Sequence, residues 1–274
     1  HTLTPKIVES KFEKVFLSMN TKTRGPKGKL TLAQLATLCW MKAEYRIACW
    51  KDFFENDVIR KGVESLTGWR FCSYGRFMLR IPFVLALLKK ALTLGFSRWN
   101  GFGAIDSTMI SLGAFYNAEN KLCYKKIRKE GAKLGHGSLG KCFGVKLTSV
   151  INSEGKICNI QLNSASSHDL TPVKNGILNS CVGVVLADRG YVSREEKEKL
   201  NSLGVALWAR PRENQDEQFN SVQKKIYKCR ETVESVFSKL KKRFLMVPSF
   251  PPRRMSTARA QICGAILAYM WNEN

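Results

Sequence analysis

Apolar positions recur at two different periods along this chain, and the change falls near residue 98. Before it the spacing is helical. Thr31 precedes a run in which Leu35, Cys39, Lys42 and Ala43 share one face, and a threonine there can accept the first free N–H groups, which predicts a helix over 32–50. A second helical segment covers 50–64. A third starts near Ser73 and should bend or restart at Pro82, which has no N–H to donate. Residues 97–101 read as a linker. Beyond it the period shortens. Residues 103–112 form a plausible first strand that contains Asp106. Residues 142–151 and 156–163 alternate and are joined by Asn152, Ser153, Glu154 and Gly155, a good hairpin turn. Residues 182–187 are a continuous apolar run ending at Asp188, as in a parallel strand covered on both faces. A short strand follows over 205–209. Helices are expected over 170–178, 194–203, 226–242 and 257–271. Residues 121–141, basic and glycine-rich, read as a loop, and so does the polar stretch 210–223.

The order after the linker is strand, hairpin of two strands, helix, strand, helix, strand, helix. It predicts an α/β fold: a ribonuclease H-like mixed sheet with flanking helices, preceded by a smaller all-helical region. The expected domains are 1–98 and 99–274. Sheets of this kind place functional carboxylates at strand ends.

The 226–242 segment carries a second pattern. At about 100° per residue, Tyr227, Arg230, Glu234 and Lys241 fall within an arc of roughly 60°. Ile226, Val233, Val236, Phe237, Leu240 and Phe244 fill the adjacent arc, which should face the core. A carboxylate flanked by two cations and a phenol suits a metal-bound phosphate better than a solvated surface. Glu234 could also pair simply with Arg230 four residues earlier. Glu231 is its rival, rotated away from the apolar face and therefore expected to be more solvated.

Two further acids stand out by context. Asp106 sits inside a strand, where aspartate is disfavoured, and Asp188 ends one. Read alone, Asp106 fits a turn cap and Asp188 a turn residue with an ion-paired neighbour. Converging with Glu234, the three would repel unless a cation lay between them. Oxygen donors imply Mg²⁺ (or Mn²⁺), and a pair of such ions supports in-line displacement at phosphorus. Asp169, after His168, reads as a helix cap. Trp208 reads as core, with base stacking as its alternative.

Charge narrows the partner. The 274 residues hold 45 Lys and Arg against 22 Asp and Glu, a net of +23. A polyanion follows, with nucleic acid ahead of an anionic membrane. The longest apolar stretch, 83–96, is interrupted by Lys89 and Lys90 and is too short to span. Nine cysteines without a C-x-x-C pair, and three histidines, argue against zinc and fit a reducing compartment. No signal peptide is evident. The chain begins at His1, so its natural start is expected to lie upstream. Arg70, Arg76 and Arg80 alternate with Trp69, Phe71, Tyr74 and Phe77, which suits a DNA-binding helical module or a helix with one wet side. Arg210, Arg212 and the basic 121–146 stretch are expected to track a DNA backbone.

The spacing of Tyr227, Arg230, Glu234 and Lys241 resembles the Y-R-E-K signature of a group of bacterial insertion-sequence transposases with a DDE catalytic triad. Asp106, in Ala-Ile-Asp-Ser-Thr, and Asp188, in Leu-Ala-Asp-Arg-Gly-Tyr, resemble that group's first and second aspartate motifs. The resemblance covers about residues 100–270, and the N-terminal part resembles these proteins only loosely. It implies that Asp106, Asp188 and Glu234 are catalytic and hold two divalent metals. Water, then a freed 3′-hydroxyl, would attack phosphodiesters without a covalent protein–DNA intermediate. Tyr227, Arg230 and Lys241 would contact phosphates near the transposon end. The implied partners are the transposon ends and target DNA, with a homodimer in a synaptic complex and no membrane. The implied location is the bacterial cytoplasm, at the nucleoid. Two other readings are a catalytically inactive, transposase-derived DNA-binding or regulatory protein and a metal-dependent nuclease that does not join strands. The short interval between Asp188 and Glu234 leaves no room for a large inserted domain.

Overall fold

A computed structural model describes residues 3–19, 29–113, 122–137, 140–211 and 219–273. The first five helices are α1 (Pro5–Ser18), α2 (Leu32–Glu44), α3 (Asp52–Glu55), α4 (Asp57–Thr67) and α5 (Tyr74–Gly95). Strand β1 (Phe102–Gly113), helix α6 (Leu122–Lys129), and strands β2 (Lys133–Gly137), β3 (Gly140–Asn152) and β4 (Ile157–Ser164) follow. Then come α7 (Leu170–Lys174), β5 (Gly183–Ala187), α8 (Arg194–Ser202), β6 (Val205–Ala209) and α9 (Ser221–Tyr227). The last elements are α10 (Glu231–Lys242) and α11 (Met255–Asn272).

The chain forms two compact units. One combines His1–Gly95, Leu112–Glu130 and Lys239–Asn274, and the other combines Phe96–Ser111 and Gly131–Ser238. The helical unit is thus assembled from both ends of the sequence. Its centre is α11, which packs on α2 and α5. Nearly every α11 residue from Met255 to Met270 is buried, so this helix has no wet side. Gly264 allows the approach: a Cβ there would lie 2.4 Å from the Cys39 carbonyl oxygen of α2.

Helix α2 starts where its sequence predicts. Thr31 Oγ1 accepts the Gln34 N–H at 3.1 Å, and Gln34 Oε1 accepts the Thr31 N–H at 2.9 Å, which closes a capping box. It ends at Glu44, short of residue 50, because Lys42 folds the chain back. The Lys42 ammonium donates to the Ile47 carbonyl at 2.8 Å and the Ala48 carbonyl at 3.1 Å. Lys42 is 1% exposed, and burial lowers its pKa to about 8. The second predicted helix splits into α3 and α4 at Asn56, whose side chain accepts the Val58 and Ile59 N–H groups and so caps α4. Helix α5 runs unbroken through an exposed Pro82, so the expected restart is absent.

The second unit is built on a mixed sheet in the order β2-β3-β1-β5-β6. Strand β2 pairs with the first part of β3 and β4 with the rest, both antiparallel. Strands β1, β5 and β6 run parallel. Below β5 a core of Ile105, Val150, Val173, Leu178, Val185 and Leu207 is closed by α7 and α8 residues. The predicted strands and the 152–155 turn stand as expected. The stretch 121–141 does not: its described residues form helix α6, strand β2 and the start of β3, not a loop. Tyr124 and Ile127, three residues apart, give α6 a buried edge that the surrounding lysines mask in the sequence. No helix among the described residues is long and apolar enough to cross a membrane.

Candidate active site

The sheet brings the two aspartates together. Phe102 pairs with Val184 and Ala104 with Leu186. Asp106 lies two residues beyond the Ala104–Leu186 pair on β1, and Asp188 directly follows the end of β5, close enough for its charge to act on Asp106. Asp188 is exposed and leads into a tight turn, Arg189–Tyr191, in which the Tyr191 N–H bonds back to the Asp188 carbonyl at 3.0 Å. Asp106 is more enclosed, with a side chain 20% exposed.

Glu234 reaches the same place through Arg230. One terminal nitrogen of the guanidinium, Nη1, donates to Asp106 Oδ2 at 2.9 Å. The other, Nη2, donates to Glu234 Oε1 at 2.6 Å. Arg230 is 17% exposed and Glu234 55%. The i−4 pairing expected of a plain surface helix is therefore present, but the same arginine also binds a strand-borne acid far away in sequence. Glu231 and Glu234 are both exposed, so solvation does not separate them as anticipated. The Arg230 bond does.

The stripe is not one regular helix. Helix α9 ends at Tyr227, a tighter turn spans Lys228–Arg230, and α10 starts at Glu231. Tyr227 turns inward: its hydroxyl donates to the Ala187 carbonyl at 2.8 Å, one residue before Asp188. Burial raises its pKa, with the Asp188 and Asp106 charges adding and Arg230 and Arg210 opposing. The Arg230 guanidinium carbon lies 5.8 Å from the centre of the Tyr227 ring. Arg210 is exposed, and its N–H bonds the Ala187 carbonyl at 3.2 Å. Lys241 lies on α10 beyond Ser238, in the other compact unit. Arg212 falls outside the described residues.

Burial pushes the Asp106 pKa up from 3.8 to about 6. The Ser107 N–H and Arg230 pull it down, and Asp188 and Glu234 push it further up. Arg230 shows the converse. Burial opposes its charge, but Asp106, Tyr227, Glu234 and Asp188 together hold its pKa above the ordinary value. The acids repel one another and are held by a cation, which is the electrostatic setting of a divalent-ion site. Oxygen donors alone suit Mg²⁺ or Mn²⁺. Among the described residues, no three His, Cys, Asp or Glu side chains already converge as metal ligands.

Several residues around the acids carry no plain signal in the sequence. Ser107 donates its N–H to Asp106 Oδ1 at 2.8 Å. Its hydroxyl lies 2.8 Å from Thr148 Oγ1 and 2.8 Å from the Tyr191 hydroxyl. This chain of hydroxyls links β1, β3 and the turn after Asp188. Burial holds the Tyr191 phenol well above its usual pKa. Asp169 stands at the N-cap position of α7, but its side chain makes no capping bond. It accepts from Lys146 Nζ at 3.0 Å, and that ammonium also donates to the Ser167 carbonyl at 2.8 Å. A Cβ on Gly190 would lie 2.8 Å from Asp169 Oδ2, so a side chain there would displace the Asp169 carboxylate. The Gly-Tyr pair behind Asp188 was the one available hint. Trp208 pairs with Leu186 in the sheet and is half-buried.

The mixed sheet with flanking helices and the helical N-terminal region match a transposase catalytic fold. The chain belongs to the family described as Transposase DDE domain, which its residues 96–247 match. No curated protein matches it. Among solved structures, it is similar to the piggyBac transposase in a synaptic complex with hairpin DNA. The TM-score is 0.55 at 10% identity, over 98% of this chain and 75% of that one. At that identity the likeness concerns the fold.

Proposed function

We propose that this protein is a DNA transposase that cleaves and transfers strands at the ends of an insertion element, with Asp106, Asp188 and Glu234 as its catalytic acids. One observation carries the proposal: a single guanidinium ties Asp106 to Glu234, and the charge of Asp188, just past the end of the neighbouring strand, acts on Asp106. Ionised, the three carboxylates would hold Mg²⁺ (or Mn²⁺), with two ions the expected number. When bound, the ions activate the attacking oxygen and neutralise the leaving one.

The remaining work falls to the chain itself. Tyr227 fixes the strand end that bears Asp188 through the Ala187 carbonyl. Ser107, Thr148 and Tyr191 hold Asp106 and the Asp188 turn in one hydrogen-bonded frame. Arg210, Arg212, Arg230 and Lys241, with Tyr227, contact phosphates of the transposon end. The helical region 1–98 binds DNA, and a homodimer synapses the two ends in the bacterial cytoplasm.

The test is a joining assay with pre-cut DNA carrying the element's terminal sequence, a target plasmid and Mn²⁺. Joined products are expected, and Asp188→Ala should abolish them. Joining that survives Asp188→Ala refutes the site. Cleavage without joining would make the protein a nuclease. DNA binding without either reaction would make it a regulatory relative.

A further inference from the structure

We infer that Arg230 is a built-in counter-cation, and that its guanidinium and a divalent ion are alternative partners of Asp106 and Glu234. The inference deepens the metal-dependent reading above and rests on it. Arginine's planar fork usually grips one anion with two nitrogens. Here the two terminal nitrogens go to different carboxylates, 2.9 Å to Asp106 Oδ2 and 2.6 Å to Glu234 Oε1. The other Asp106 oxygen already accepts the Ser107 N–H at 2.8 Å. Both oxygens of Asp106 are therefore engaged, one of them by a positive charge.

A guanidinium in that position excludes a shared ion in two ways. It occupies one oxygen of each acid, Asp106 Oδ2 and Glu234 Oε1, and its charge repels a dication a few ångströms away. For Asp106 and Glu234 to hold one ion, Arg230 must let go of both. Its new partner follows from the same chemistry. A guanidinium released from carboxylates beside a phosphoryl-transfer site binds a phosphodiester, the other bidentate anion available there. Arg230 is suited to the exchange by where it sits. It ends the tight turn Lys228–Arg230, just before α10 begins, and it flanks the Tyr227 ring. One side chain thereby holds the acids at rest and grips DNA when the site is loaded.

Mn²⁺ binding to the full-length protein tests this without catalysis, read from the electron paramagnetic resonance of free Mn²⁺. Arg230→Gln should bind Mn²⁺ at least about tenfold tighter than the wild type, since a competing charge is gone. Arg230→Lys, which keeps the charge but lacks the two-pronged fork, should fall between them. Asp188→Asn should bind more weakly than the wild type. In EDTA, Arg230→Gln should melt below the wild type, and added Mn²⁺ should raise its Tm by more. Equal or weaker Mn²⁺ binding by a folded Arg230→Gln overturns the inference while leaving the metal site standing. If Arg230→Gln does not fold, Arg230→Lys decides by the same comparison. If neither the wild type nor Arg230→Gln binds Mn²⁺, or if Asp188→Asn leaves a measurable wild-type affinity unchanged, the metal-dependent reading fails and this inference fails with it.

Discussion

Asp106 shows what its proposed catalytic role costs a fold. Its pKa of about 6 means that the folded protein resists ionising it, even with Arg230 in contact. That cost is absent below the ordinary carboxylate value of 3.8 and fully present above about 6. Asp106→Asn should therefore stabilise the protein at pH 7–8, by up to about 2 kcal/mol. The gain should shrink to nothing as pH falls below about 4. Thermal melts of both proteins across that range check the sign, and an Asn variant less stable at pH 8 would contradict it. Tyr191 acts in the opposite sense, because its hydroxyl closes the Ser107–Thr148 chain in a buried place. Tyr191→Phe should cost about 1 kcal/mol in denaturant unfolding. The three acids were legible as residues because each stood in an odd context: inside a strand, at a strand end, or on a mixed-charge stripe. Their supports were not. Ser107, Thr148, Lys146 and Gly190 are ordinary in sequence, and only the strand register gives them partners.

Elements were legible where period and capping agreed. Thr31 and Gln34 fix the start of α2, and the apolar run before Asp188 fixes β5. Pattern reading failed where side chains act on the backbone from a distance. Lys42 ends α2 early by bonding carbonyls five and six residues ahead. It also failed where charge conceals a short apolar edge, as in α6. The stripe was expected on one regular helix and is not, because a tighter turn at Lys228–Arg230 separates α9 from α10. The contact of α11 with α2 depends on Gly264. Gly264→Ala would bring a Cβ to 2.4 Å from the Cys39 carbonyl. It should destabilise the helical unit by about 1–3 kcal/mol, seen as a lower Tm. An unchanged Tm would mean that the two helices move apart without penalty.

At the scale of the whole molecule, a net charge of +23 on a 274-residue chain predicts binding dominated by phosphate contacts. Affinity for a DNA duplex, measured by fluorescence anisotropy, should fall by at least about a hundredfold between 50 and 200 mM salt. A flat salt dependence would remove DNA backbone binding from the account. Sequence order alone does not reveal that both chain ends build the helical unit, because long-range helix packing leaves no local pattern. The central claim is that Asp106, Asp188 and Glu234 act together in cutting DNA. The most direct test is Mn²⁺-dependent cleavage of a DNA fragment spanning the element's end, comparing the wild-type protein with Asp106→Ala, Asp188→Ala and Glu234→Ala. The account predicts cleavage at the end by the wild type and a loss of at least about a thousandfold in each variant, with DNA binding retained. Cleavage at the wild-type rate by any one of the three would contradict it.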